Sequence, residues 1–392
     1  MVHLAAKNKC TGCSACASSC PNRCITMVRD KEGFAFPSVN NDICLNCKLC
    51  GKVCPAMNAK EICHQNTLAY AAYTMDTKVR MESSSGGIFF ELSKEVLKQS
   101  GVVYGAAYDK KFRVTHRCVD QYENLDALHG AKYSQSDLGE CFPEIKKRLE
   151  CGQQVLFSGT PCQVSGLQSF LGRGYENLIC IDFVCHGVPS PMVWEKYVLY
   201  RSNLDSQGSL PQYINLRCKK SGWSKYAYSI DFFYEDGARY LCRNSEDEFM
   251  KMFVGDYILR KSCGYCQEKG YERKSDITLG DFWGIWDVAP EMDDNKGTSL
   301  ILVHSEKGYS MLKQINNRIK IKEVKLNQAS QMNRAMIKSV KHQKVRGDIL
   351  EAISKSGFQP LQALLPNQTK AKQLLINKIE KIMMKALYTG SK

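Results

Sequence analysis

Residues 10–55 read CTGCSACASSCPNRCITMVRDKEGFAFPSVNNDICLNCKLCGKVCP. Within them Cys10, Cys13, Cys16 and Cys20-Pro21 recur as Cys44, Cys47, Cys50 and Cys54-Pro55, two complete copies of C-x2-C-x2-C-x3-C-P. Three thiolates spaced by two residues let a short loop wrap three corners of an iron-sulfur cubane. The fourth Cys, turned away before the proline, reaches the other one. The spacing therefore assigns Cys10, Cys13, Cys16 and Cys54 to one 4Fe-4S cluster, and Cys44, Cys47, Cys50 and Cys20 to its neighbour. Zinc is the competing reading, since thiolates also suit it, but a zinc site ordinarily uses two CxxC pairs and has no use for a third spaced Cys plus Cys-Pro. Between the motifs, residues 25–28 and 34–36 flank Asp30-Lys31-Glu32-Gly33, a strand, turn and strand that complete a ferredoxin-like domain over residues 1–60.

At 392 residues the chain has room for that domain and a larger one. Its twenty cysteines follow a start, MVHLAAKNKC, with no apolar signal region, so the sequence predicts a reducing cytoplasm rather than a secreted disulfide scaffold. No stretch reaches the roughly 18 to 20 apolar residues of a membrane span, and the run around residues 178–188 is interrupted by Asp182 and His186. The net charge of +14 is concentrated late: residues 305–392 hold 18 Lys and Arg against 5 Asp and Glu.

After a linker at residues 59–67, the chain alternates strands and helices. A strand is predicted at 69–74. Ser83-Ser84-Ser85-Gly86-Gly87 then leads into a helix reaching about Gln99, Gly101 stops it, and a strand follows at 102–108. A second unit comprises a helix at 138–149, a strand at 155–158, the turn Gly159-Thr160-Pro161-Cys162, a helix at 163–170 and a strand at 178–184, before Cys185-His186-Gly187. Residues 213–241 look antiparallel. Together these predict an α/β domain over 68–305, a mixed sheet with packed helices. Residues 306–392 read as a basic helical region. In it Leu374, Leu375, Ile379, Ile382, Met383 and Ala386 form an apolar stripe, which packs on the protein itself, meets a partner, or lies on an anionic membrane surface. Nucleic acid is not indicated, because the basic residues lack interleaved aromatics and any binding motif.

Two clusters make a wire without a substrate pocket, so a further redox centre is sought downstream. The Ser83 to Gly87 turn can offer backbone N–H groups and a helix N-terminus to a phosphate; it can equally be an ordinary N-cap with a tightly packed glycine pair. Lys132, Tyr133 and Ser136 offer a cation, an amphipathic ring and a hydroxyl on one loop; a solvated lysine and a packed tyrosine are the plainer reading. Cys162, Cys185, Cys263 and Cys266 sit at predicted turns and could supply four soft ligands to a third cluster or a zinc ion. The remaining cysteines are scattered and read as small buried apolar residues. His129 and His186 are candidate proton donors or structural imidazoles.

The ordered stretches SSSGGIF, GAKYSQSDLG, FSGTPCQVSGL, CHGVPSPMVW, KSGW, CGYC and SDITLGDFWGI, behind the dicluster motif, resemble the beta subunit family of coenzyme F420 hydrogenase/dehydrogenase over residues 1–305. The resemblance implies an FAD-type α/β domain and an iron-sulfur flavoprotein oxidoreductase that passes electrons between 4Fe-4S clusters and FAD, and on to or from an organic molecule. It makes Ser84, Ser85, Gly86, Gly87, Lys132, Tyr133 and Ser136 flavin-site residues, and the Cys162, Cys185, Cys263 and Cys266 set a third 4Fe-4S site. It also implies a ferredoxin or other redox partner protein and a small organic substrate, which is the deazaflavin coenzyme or a chlorophyll derivative in members of the family. It names no catalytic acid or base. The alternative is an electron-transfer subunit that docks through its basic tail on a separate catalytic partner.

Overall fold

A computed structural model describes residues 4–58 and 67–365. Most of the linker, Cys63 and the apolar stripe at residues 374–386 lie outside the described residues.

In the amino-terminal domain strand β1 (Ile25–Arg29) pairs antiparallel with β2 (Ala35–Val39). The predicted turn closes because the Asp30 carboxylate accepts from the backbone N–H groups of Glu32 and Phe34, at 3.0 and 3.1 Å. Gly33 supplies the left-handed residue at φ 82°.

The large domain is built on ten strands: β3 (Leu68–Thr74), β4 (Val102–Tyr108), β5 (Val114–Val119), β6 (Val155–Ser158), β7 (Leu178–Phe183), β8 (Tyr213–Cys218), β9 (Ser229–Phe233), β10 (Arg239–Arg243), β11 (Ile277–Asp281) and β12 (Ser299–Val303). An eleventh, β13 (Ile319–Val324), completes the main sheet, whose order is β13-β3-β12-β11-β7-β6-β4-β5. The β4-β6, β6-β7 and β7-β11 pairs are parallel, and the rest are antiparallel. Period-two alternation covers both faces. Tyr70, Ala72, Leu156, Ile179, Ile181, Ile301 and Val303 pack against the helices Ile88–Lys98 and Glu306–Gln314. On the opposite face, Val155, Phe157, Leu178 and Cys180 meet the helices Cys141–Glu150 and Pro161–Leu171, and Ala69, Ala71, Leu300 and Leu302 meet Trp223, Phe282 and Ile285. The strands β8, β9 and β10 form a separate antiparallel sheet over a core of Trp194, Tyr197, Phe232 and Phe249.

The region expected to be helical from residue 306 carries helices at Glu306–Gln314 and Arg346–Ser356 among the described residues, but also one strand. Ile319-Lys320-Ile321-Lys322 alternates with period two, so Ile319 and Ile321 face the core while the lysines leave it, and β13 adds to β3 as a sheet edge. Lysines on an edge strand also discourage pairing with another chain. Several cations of this region are paired within the chain, Lys322 at the surface. Arg318 binds Glu91 and Glu95 at 2.9 and 2.8 Å, Lys322 binds Glu291 at 2.5 Å, and Arg346 binds Glu32 of the β1-β2 turn at 2.7 Å.

That last pair helps seat the amino-terminal domain. Ser190 donates its hydroxyl to the Glu32 carbonyl, Arg29 pairs with Glu195 at 2.6 Å, and a Cβ on Gly33 would lie 2.7 Å from that of Met192. The two domains are therefore locked side by side.

Candidate functional site

The two cysteine motifs fold into matching loops. Gly12 and Asn46 are left-handed at φ 71° and 51°, as are Ser14 and Lys48 at 61° and 62°. Each loop runs into a single helical turn, Ala15–Ser18 or Leu49–Lys52. Left-handed residues on either side of the second cysteine curl the chain so that three thiols line one cavity. The fourth thiol crosses over: Cys10, Cys13, Cys16 and Cys54 line one cavity of about 380 Å³, and Cys20, Cys44, Cys47 and Cys50 line another of about 330 Å³.

Burial pushes the Cys13 thiol up to about 11 and Cys16 up to about 12, with the neighbouring thiols adding to the rise. Such thiols ionise readily only beside concentrated positive charge, which an iron-sulfur core supplies. Among the described residues, no three His, Cys, Asp or Glu groups close on a single-ion site; the thiols ring cavities instead. Donor type, crossing and cavity shape fit a cubane. Cys24, read from sequence as a scattered apolar residue, lines the second cavity with its sulfur 3.2 Å from that of Cys20. Of the other scattered cysteines, Cys141, Cys180 and Cys218 are buried, whereas Cys151 is exposed.

The cysteines at turns come within electrostatic reach of one another. Cys162 opens the helix after β6, Cys185 follows β7, Cys263 lies within the turn Lys261–Tyr265 and Cys266 ends it. Burial pushes Cys162 well up, and the charges of Cys266, Cys185 and Cys263 raise it further; Cys185 stands at about 12 for the same reasons. The Thr160 hydroxyl lies 3.1 Å from the Cys162 sulfur, and the Val188 N–H donates to that of Cys263 at 3.4 Å. Four residues after Cys162, on the same face of its helix, a Cβ on Gly166 would lie 2.8 Å from that of Cys13. That absent side chain lets the inner amino-terminal set pack directly on the helix that carries the third set.

The strands β3, β4, β6, β7 and β11 point the same way, and their carboxyl ends form one edge of the sheet, where α/β proteins hold ligands. The Ser83 to Gly87 turn lies there. Ser83 is 2.6 Å from His129 Nε2, the Ser84 carbonyl accepts from Arg217 at 3.5 Å and the Ser85 carbonyl from Lys219 at 2.5 Å. The Gly86 N–H, expected to be free for a phosphate, donates to Ser299 Oγ at 2.9 Å, so it holds the turn to β12. Gly87, at φ 83°, turns the chain into the helix at Ile88. A Cβ on Gly86 would overlap the Ala72 carbonyl oxygen and come within 2.8 Å of the Ser299 nitrogen. Gly86→Ala is expected to cost about 2 to 4 kcal/mol, since backbone atoms cannot step aside, and thermal or urea unfolding measures it.

Lys132 lies on the facing loop. Its ammonium donates to the carbonyls of His129 and Gly130 at 2.6 and 3.3 Å, it forms no ion pair among the described residues, and burial pushes its pKa down to about 7. Tyr133 packs on Phe253 with ring centroids 4.8 Å apart. Ser136 faces the other way and accepts from Gln163, the neighbour of Cys162, at 2.8 Å.

Two residues that sequence reasoning did not single out, Arg217 and Lys219, complete the site together with His129, which it did. Arg217, buried, pairs with Asp281 at 3.1 Å and lies over Tyr228. Lys219, also buried, donates to the carbonyls of Arg80, Ser85 and Lys296, and burial pushes it down to about 7. His129 is pushed down to about 4 by burial, with Lys132 and Lys219 adding to the drop. Nothing in the sequence marks Arg217 or Lys219 as buried, because their cover comes from distant loops. His186, the other imidazole considered, bonds Asp256 at 2.7 Å. The result is a cluster of basic groups at the sheet edge in which Arg217 is already paired with Asp281 and burial disfavours the charged forms of Lys132, Lys219 and His129, forms that a bound anion would favour.

Residues 9–58 match the 4Fe-4S dicluster domain, and residues 152–329 match the C terminus of the coenzyme F420 hydrogenase/dehydrogenase beta subunit. A chain from the F420-reducing [NiFe] hydrogenase complex of Methanosarcina barkeri aligns over 75% of this chain and 95% of its own, at 15% identity and a TM-score of 0.46. No curated protein matches.

Proposed function

We propose that this chain, an iron-sulfur protein of the coenzyme F420 hydrogenase/dehydrogenase beta subunit family with a 4Fe-4S dicluster domain ahead of it, is a flavoprotein oxidoreductase that holds FAD at the cationic sheet edge. The observation that carries the reading is one hydrogen bond. Gln163, next to Cys162, donates to Ser136 on the Lys132 loop, so the third thiol set and the anion site share a wall. When bound, the clusters would carry single electrons and the flavin would join them to two-electron chemistry on a small organic partner.

The residues then have separable tasks. Lys132 neutralises the nucleotide's phosphates, and Arg217 and Lys219 hold the turn beside it through the Ser84 and Ser85 carbonyls. The Ser84 to Gly87 turn shapes the floor, and Tyr133 on Phe253 supplies an apolar wall. Gly166 keeps the inner thiols against the Cys162 helix. The Cys20, Cys44, Cys47 and Cys50 set faces outward, with Cys47 exposed, and is the point where a redox partner protein exchanges electrons. So many free thiols suit a reducing cytoplasm.

Anaerobic purification or reconstitution tests this. About eight to twelve irons per chain and a bleachable flavin spectrum are expected; a chain that retains iron but takes up no flavin would overturn the flavoprotein assignment.

A second reading, an electron-transfer subunit without its own substrate, draws on the outer set's surroundings. Ile43, Leu45 and Leu49 are exposed there beside Arg23, Lys48 and Lys52, an apolar patch with a basic rim suited to an acidic protein. Of the basic region's cations among the described residues, Arg318, Lys322 and Arg346 are already paired within the chain. Among the described residues no helix is long and apolar enough to cross a membrane.

A further inference from the structure

Arg260 is among the most deeply buried large side chains, 1% exposed, yet it has no carboxylate partner among the described ion pairs. Its guanidinium instead spans the junction between the domains. Nε donates to the Cys10 carbonyl at 2.9 Å, Nη1 to Gln135 Oε1 at 2.8 Å and Nη2 to the Ala35 carbonyl at 2.9 Å, and Nη2 also stands 3.8 Å from the Cys10 sulfur. Phe36 covers it from one side, 4.2 Å from ring centre to guanidinium carbon. Behind it the Arg260 carbonyl accepts from the Cys263 N–H at 3.0 Å, which ties the residue to the third set through its backbone, and the thiolate charges of Cys263 and Cys162 favour the charged guanidinium. Gln135, which it holds, reaches on to the Thr11 carbonyl inside the first cysteine loop.

We propose that Arg260 is a positioning residue that clamps the inner thiolate set of Cys10, Cys13, Cys16 and Cys54 against the third set and fixes the reduction potential of both. A buried cation unpaired with any carboxylate is costly unless negative charge lies near it, and the charge available here is that of two thiolate sets. A guanidinium makes three directed hydrogen bonds at once, which a lysine cannot reproduce. Reduction adds negative charge to a cluster, so a fixed cation and its hydrogen bonds make reduction easier at the sets it touches. The outer set lies beyond its contacts and serves as an internal reference.

The inference rests on the reading of both sets as cluster ligands, so iron in the unaltered protein is counted first. About eight irons per chain would remove the third set and with it that reading, whereas about twelve leaves the inference open to its own test. Potentiometric titration followed by electron paramagnetic resonance is then run on the native chain, R260Q and R260K. For R260Q we expect two of the three midpoint potentials to become more negative and the third to stay in place. For R260K, which keeps charge and loses the fork, we expect potentials nearer the native ones and a changed spectrum for the inner set. With full iron content, three unchanged potentials, or three that shift equally, overturn the proposal. Should R260Q fail to fold, Gln135→Ala removes one Arg260 partner without removing the charge, and the inner set's spectrum is expected to change while that of the outer set does not; an unchanged inner spectrum counts against the clamp.

Discussion

Replacing Cys54 by Ser is expected to remove about four irons from the chain and to leave the outer set of the amino-terminal domain intact, whereas Cys20→Ser removes the outer set and spares the inner one. The reason is the crossing of the fourth thiols. Cys54 lines the cavity of Cys10, Cys13 and Cys16, and Cys20 lines that of Cys44, Cys47 and Cys50. A serine hydroxyl has neither the softness nor the acidity of the thiol, and the three remaining buried thiols repel one another as they ionise. Pairing substitutions separates this arrangement from one in which each motif serves its own cluster. Cys54→Ser with Cys10→Ser is expected to lose no more iron than either alone, because both belong to one cavity. Cys54→Ser with Cys44→Ser should lose about eight irons. If instead the second pair loses about four and the first about eight, the crossed assignment is wrong. Loss of the inner set is also expected to loosen the domain junction, where Cys13 packs on Gly166 and Arg260 holds the Cys10 carbonyl. Faster proteolysis near residue 58 would report that.

What could be read without coordinates follows from how locally each feature is determined. The two cysteine loops are complete within a dozen residues each, so spacing alone was enough to pair Cys54 with the first loop. Strands such as Val155–Ser158 announce themselves as short apolar runs between turn residues. The edge strand at residue 319 did not, because the lysines of Ile319-Lys320-Ile321-Lys322 drew attention to net charge and away from the period-two alternation. Arg217, Lys219 and Arg260 were invisible for a different reason. A cation is ordinarily solvated, and only distant cover buries it: the Ser84 to Ser85 turn over Arg217 and Lys219, and the first cysteine loop over Arg260. The third thiol set falls between these cases. Cysteines at turns after strands were legible as candidates, but their approach to one another depends on the β6-β7 pairing and on the loop at Lys261 returning to it. Sequence also overestimated the Gly86 N–H as a phosphate donor, because the Ser299 hydroxyl that takes it lies 213 residues away.

Lys132→Ala is expected to weaken FAD binding by about 2 to 5 kcal/mol, some 30-fold to several thousand-fold, since a half-buried cation facing a bound anion is removed while the anion stays largely desolvated. The same residue sets the pH dependence. In the empty site burial holds Lys132 near 7, far below its ordinary 10.5. A bound phosphate favours the charged form and raises that value, so above pH 7 binding must take up a proton. Affinity should therefore be level below about pH 7 and fall by up to tenfold per pH unit above it. The stability of the unliganded protein responds with the opposite sign. The folded state releases the Lys132 proton near 7 and the unfolded state near 10.5, so between these values the unfolded chain binds more protons and Lys132 contributes a rise in stability with pH. Two slopes of opposite sign from one residue distinguish an anion-binding lysine from one buried for packing alone, which would give the stability slope without the affinity slope. Fluorescence titration of FAD into the cluster-loaded chain at pH 6, 7, 8 and 9, with Lys132→Ala alongside, reads the first slope; equal affinities for both proteins at every pH would remove Lys132 from the flavin site.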